Sequence, residues 1–166
     1  MFSLIPEIII KMVEESKGNQ HDIDHFLKVY AYAKTIGEKE QLDDEHRFVL
    51  EAAAIVHDIA CPLCREKYGS TDGVMQETEG APLTRDFLKE FDLPGEITDA
   101  IVWLVAHHHT YSDIELLEHR ILLEADFLVN ASESGYSPEQ IAAARRSFFK
   151  TQTAITLLDS IYGRAD

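Results

Sequence analysis

Apolar residues return at helical spacing along almost the whole chain, and no segment alternates apolar with polar residues as a strand does. That pattern confines the chain to packed helices. Ser3 and Pro6 suit the start of a first helix that stops near Gly18–Asn19. A second helix is predicted from about His21 to Glu40, with Ile23, Phe26, Leu27, Tyr30 and Ala33 as its apolar side. Asp43 is placed to cap a third, which runs through Phe48, Leu50 and Ile55 to the dipeptide His57-Asp58. From Cys61 to Gly80 the pattern lapses into Pro, Gly, Ser, Thr and acidic residues, which reads as a long, partly ordered loop. Helices resume at about Ala81–Phe91, Pro94–His108 and Leu116–Ser132. The last opens with a capping box, Ser137-Pro138-Glu139-Gln140, and continues to about Tyr162. No repeat, low-complexity tract or linker breaks the order. The expected fold is all-α, a single domain over residues 1–166 built as a bundle of six or seven helices.

With 166 residues, 45% of them hydrophobic and 27% charged, the chain can bury a proper core. Its formal net charge of −15 repels phosphate backbones and argues against a nucleic-acid polymer as partner. A small phosphorylated substrate stays open, because one bound divalent cation reverses the local field. The apolar runs are too short to span a bilayer, so no membrane partner is expected. The segment from Met1 to Val13 carries Glu7 and lacks a basic start and a cleavage site, which points to a cytoplasmic protein. Cys61 and Cys64 form a C-x-x-C, but no strand precedes them and no second pair completes a zinc knuckle. They read as small, half-buried residues in a turn opened by Pro62.

The chemistry is carried by polar residues on apolar helical faces, where each costs desolvation energy unless something offsets it. His21 and His25, four apart, stack one turn from each other on a single face. His57 follows Leu50, Ala53 and Ala54 on the inward side of its helix, and Asp58 sits beside it at the helix end. Asp126 lies within the stripe of Leu122, Leu123 and Val129, where an unpaired carboxylate would cost several kcal/mol or protonate. His25, His57, Asp58 and Asp126 together offer two imidazoles and two carboxylates, a set suited to a divalent metal with positions left for water and substrate. His108 follows Ile101, Leu104 and Val105 inward, with His107 beside it towards Trp103; either suits phosphate binding or a second metal. His109 is expected to be solvent-exposed and Glu124 to be a solvated residue on another face. His46 and His119 fall on polar stretches and receive no role.

In this order and setting the residues resemble the HD-domain superfamily of metal-dependent phosphohydrolases. His21-Asp22-Ile23-Asp24-His25-Phe26-Leu27-Lys28-Val29 is similar to that family's opening H-x-x-x-H-x-x-x-V stretch, in which the second histidine is the ligand. Ala53-Ala54-Ile55-Val56-His57-Asp58-Ile59 resembles its signature helix, and Glu124-Ala125-Asp126-Phe127-Leu128 the late segment that supplies the last aspartate. Two departures stand out. Ala60 occupies a position where many members have glycine, and Cys61 and Cys64 stand where some members place an acidic catalytic residue. The stretch from Lys67 to Gly80 resembles an insertion found in one subgroup, and there Lys67 and Gln76 could hold phosphate or a polar head group.

The resemblance implies hydrolysis of a small phosphorylated compound, a phosphomonoester or nucleotide, by metal-activated water. Asp58 would also orient that water, while His21, Lys67 and one of His107 or His108 offset phosphoryl charge. The ligand mix suits manganese, iron, magnesium or zinc. Two other classes fit the same residues: a di-iron oxygenase on the same scaffold, and a non-catalytic sensor that binds metal and ligand without turnover. Oligomeric state leaves no mark on the sequence.

Overall fold

The computed structural model describes residues 4–163, and these hold nine α-helices joined by turns, with no strand. They are α1 (Ile5–Glu15), α2 (Gln20–Lys39), α3 (Asp44–Val56), α4 (Cys61–Tyr68), α5 (Gly73–Leu88), α6 (Gly95–Val105), α7 (Leu117–Glu133), α8 (Pro138–Ser147) and α9 (Gln152–Tyr162). Ser3, read as part of the first helix start, lies outside the described residues. No described helix is long and apolar enough to cross a membrane.

The helical reading holds, and the count rises from six or seven to nine for two physical reasons. The first concerns the stretch taken as a loop, which is helical through α4 and the first half of α5. Pro62 starts α4, Gly69 ends it at φ +65°, and Asp72 caps α5 by accepting from the Val74 amide. These are the same residue types that mark loops. Here they sit at helix ends, and Pro82 lies inside α5 without ending it.

The second reason is a break in the last predicted helix. Phe148 leaves helical geometry at φ −129°, and the rings of Phe148 and Phe149 both reach Phe127, at 5.4 and 5.6 Å between centroids. Consecutive helical residues point about 100° apart, so a continuous helix would turn one of these rings away. Beyond the break, Glu124 gathers the new helix start. Its carboxylate accepts from the Lys150 amide at 2.6 Å, the Thr151 amide at 3.0 Å and the Thr151 hydroxyl at 2.5 Å. Glu124 is thus fully buried, against the expectation of a solvated side chain, and burial pushes its pKa up despite those three donors.

The core is organised around α3, in which every residue from Phe48 to Val56 is buried. A helix apolar on all sides must be enclosed by others. α3 packs against α1, α2, α6 and α7, and α2 also packs on α7. The small side chains of Ala52, Ala53 and Ala54 allow that close approach. Glu51, the one charge in the buried run, is met by Lys34 at 3.2 Å. The end of α3, the start of α2 and the body of α7 therefore come together at one point.

Glu124→Ala leaves three donors without an acceptor, two of them in the backbone. It is expected to destabilise the fold by about 2–4 kcal/mol while far-UV helical signal in the native state stays near that of the parent. Urea denaturation followed by circular dichroism measures both.

Candidate metal centre

Four helical segments deliver side chains to the joint. Asn19 caps α2 by accepting from the Asp22 amide, which sets His25 one turn inside the helix and facing the core. His57 is the C-cap of α3, and Asp58 lies in the turn after it, whose backbone is held by Cys61 N–H donating to the Asp58 carbonyl at 2.9 Å. Adjacent residues at a helix end can therefore face one point from two sides. α7 contributes Asp126 from its buried face, and the turn after α6 contributes His108.

The imidazoles are aimed by their far nitrogens. His57 Nδ1 donates to the Ala54 carbonyl at 2.9 Å and His108 Nδ1 to the Val105 carbonyl at 2.6 Å. His25 Nδ1 donates to the Glu133 carboxylate at 2.8 Å. An oxygen of this kind only accepts, so each Nδ1 carries a proton and each Nε2 is turned to the centre. His25 Nε2 lies 3.2 Å from His57 Nε2, 3.4 Å from Asp58 Oδ2 and 3.2 Å from Asp126 Oδ1. His57 Nε2 is 3.6 Å from Asp58 Oδ1 and 3.5 Å from Asp126 Oδ1. Ligands about 2.1 Å from a shared ion stand about 3.0–3.4 Å from one another, so this spacing suits one cation.

A second observation points the same way. Asp126 Oδ1 and His108 Nε2 are sealed from solvent without a hydrogen-bond partner among the described residues. Buried polar atoms are rarely left so, and a cation at the centre would satisfy them. The electrostatics agree in direction. Burial alone would depress His25, but the carboxylates of Asp126, Asp58 and Glu133 outweigh it and hold its pKa up at about 9. Burial would likewise raise Asp58 and Asp126. The surrounding imidazoles win and hold both carboxyls well below the usual range: His57, His108 and His25 for Asp58, and His25 and His57 for Asp126. Positive charge is drawn to this point, and a proton or a metal ion can supply it.

A cavity of about 220 Å³ opens beside the cluster, lined by Asp58 and Asp126 together with His21, Arg65, Gln76 and His109. Of the weaker sequence candidates, His21 and Gln76 line this space. His21 is largely exposed, 3.8 Å from Glu133. Gln76 is held by Cys61 Sγ–H donating to its Oε1 at 3.3 Å and by its own Nε2 donating to the Thr71 carbonyl at 2.7 Å. His108 joins the cluster at 3.4 Å from Asp58 Oδ1.

Two candidates are placed elsewhere. Lys67 is exposed, bound to Glu79 at 2.6 Å and absent from the cavity lining, because its helix turns it outward. Arg65, two residues earlier on α4, is the lysine or arginine that lines the cavity, and its guanidinium pairs with Asp22. His107 stacks on Trp103 at 4.1 Å with Nδ1 donating to the Trp103 carbonyl at 2.7 Å, away from the cluster.

Other expectations are corrected by packing. His109 is not simply exposed: its Nε2 is buried without a partner, and its ring lies over Gly73, where an added Cβ would meet the ring at 2.8 Å. Asp58, His108 and His109 form a second trio whose ligand atoms could share an ion. His119 is buried, donating through Nε2 to the His107 carbonyl at 2.8 Å. Cys61 and Cys64 are both buried in α4 as free thiols, and burial pushes the Cys61 thiol up.

Glu133 was missed, although its position seven residues after Asp126 places both on one face of α7. His109 and Arg65 carried no such signal. One lies beyond a helix end, where face arguments lapse, and the other lies on a helix read as loop.

Comparison with known proteins gives a consistent picture. The model of the HD domain family matches residues 22–166. The fold is similar to the crystal structure of a predicted HD superfamily hydrolase from an uncultured Thermotogales bacterium. That match has a TM-score of 0.72 and 23% identity, over 96% of this chain and 85% of the other. No curated protein sequence matches.

Glu133→Ala removes the acceptor that aims His25. Divalent-metal affinity is expected to fall about 10–100-fold, read by competition with a chromogenic chelator. Gly73→Ala forces His109 off its seat. Its Nε2 should gain solvent, seen as a faster rate of carbethoxylation at that one histidine by mass spectrometry.

Proposed function

Since the chain belongs to the HD domain family, generally metal-dependent hydrolases, we propose that it hydrolyses a small phosphorylated compound, a phosphomonoester or nucleotide, and does so as one domain. The observation that carries the reading is the convergence of Nε2 of His25 and His57 with the carboxylates of Asp58 and Asp126, one oxygen of which is buried without a hydrogen bond.

His25, His57, Asp58 and Asp126 would hold the cation, manganese, iron, magnesium and zinc all fitting this mix of imidazole and carboxylate. A bound divalent ion supplies a water of lowered pKa and polarisation of a phosphoryl oxygen. The chain's own residues do the rest. Glu133 and the Ala54 carbonyl fix the two imidazole rings through their Nδ1 protons, so the ligand set is preorganised. Asp58 is part-exposed on the cavity side, where its carboxylate can accept a hydrogen bond from water and orient it towards phosphorus. Arg65 takes the role first given to Lys67: its planar fork matches phosphoryl oxygens, and the bond to Asp22 keeps it over the cavity. His109 also lines the cavity, on the side of Asp58 and His108.

The grouping of Asp58, His108 and His109 favours a second reading in which two irons serve oxygen chemistry. A reduced anaerobic sample that holds two irons and then consumes oxygen with a diol or phosphonate would select it.

The deciding experiment is a phosphatase screen over nucleotides and sugar phosphates, on apoprotein with each metal restored in turn. One substrate class cleaved in a metal-dependent way is expected, and a flat panel would leave a non-catalytic metal-binding module. Asp58→Ala should lose bound metal by elemental analysis and all turnover, with circular dichroism near that of the parent. Arg65→Ala should raise KM about tenfold with a smaller change in kcat.

A further inference from the structure

Beside the polar cavity lies a larger one of about 480 Å³, formed between α1, α2, α4 and α5. Its size falls within the range of small-molecule sites. Asp22 and Asp58 line both spaces, so the chamber begins at the wall of the candidate metal centre. Its apolar lining comes from Met12, Phe26, Ile59, Leu63, Leu83 and Phe87. The charged lining is mostly acidic: Glu15, Glu66, Asp86 and Glu90 stand against Lys11 and Lys17, and Lys11 is held by Glu90 at 2.6 Å.

We infer that this chamber receives the leaving group of the substrate, and that the substrate is a phosphate monoester of an apolar, ring-bearing alcohol. The inference rests on the phosphohydrolase reading for the placement of the phosphoryl group near Asp58. Three features argue for it. The aromatic and aliphatic walls, with Phe26 and Phe87 among them, reward burial of a flat apolar body. The surplus of carboxylates repels further phosphates, so di- and triphosphates are disfavoured where a monophosphate is not. A small polyhydroxylated group, such as a sugar or glycerol, would find acceptors in the carboxylates but would leave the apolar side chains unused, so it gains less from this chamber than a ring does.

The test compares 1-naphthyl phosphate with glycerol 3-phosphate as substrates of the metal-loaded protein, and measures calorimetric binding of 1-naphthol alone. Leu63→Trp and Leu83→Trp fill the chamber from two different helices, both at half-buried positions, so loss of folding in one leaves the other to decide. The expected result is a KM for naphthyl phosphate about tenfold below that for glycerol phosphate, a difference of about 1.4 kcal/mol. Either tryptophan should abolish that preference by raising the KM for naphthyl phosphate. Equal KM values for the two esters, or a preference that survives both variants, would overturn the assignment while leaving hydrolysis itself intact. Binding of 1-naphthol that is lost in both variants, with neither ester cleaved, would keep the chamber as an apolar site and refute the hydrolase.

Discussion

Two acidic side chains, Asp58 and Asp126, stand at the end of a buried helix and in the middle of another, and the packing around them follows from that placement. Unpaired, each would be driven to protonate or would weaken the fold. Here three imidazoles face them, each turned by a bond at its far nitrogen: His25 by Glu133, His57 by the Ala54 carbonyl and His108 by the Val105 carbonyl. The carboxylates draw positive charge and the ring nitrogens supply lone pairs, so the helices converge on a point suited to a cation. A merely structural ion pair would have closed its hydrogen bonds. This cluster leaves an Asp126 oxygen and His108 Nε2 without them.

Much of this was legible from residue order, because its information is periodic. His25, His57 and Asp126 announce themselves as polar residues on apolar stripes, and a stripe is a statement about which way a side chain faces. The helical fold class follows from the same regularity. What stayed hidden had no period to display. The helix pair α4 and the first part of α5 is built from Pro, Gly and Asp used as end signals, and in a sequence these look the same as a loop. The division between α8 and α9 arises because two neighbouring phenylalanines both seek Phe127, a tertiary demand that no local rule contains. Arg65 and His109 stayed hidden for local reasons of their own. One rides on the unseen helix, and the other lies past a helix end.

The two cavities differ in chemical character. The smaller is polar, lined by Asp58 and Asp126 of the candidate metal centre and by Arg65. The larger is walled by apolar side chains and edged with acids. Asp22 stands between them, its carboxylate committed to Arg65 and to the Asn19 amide group. An overall charge of −15 gave no hint of this division, since the excess acid is spread over the surface as well as the pockets.

Glu124 and Asp126 are two residues apart on α7, which turns them about 200° around the helix axis, to nearly opposite sides. One is clamped by the start of α9, and the other faces the candidate metal centre. The helix is thereby keyed like a shaft in its bearing. Any rotation that carried Asp126 out of register would first have to tear Glu124 from the backbone of the terminal hairpin. Remote changes in the last two helices can thus alter the angle at which the Asp126 carboxylate enters the candidate metal centre, without touching that centre itself.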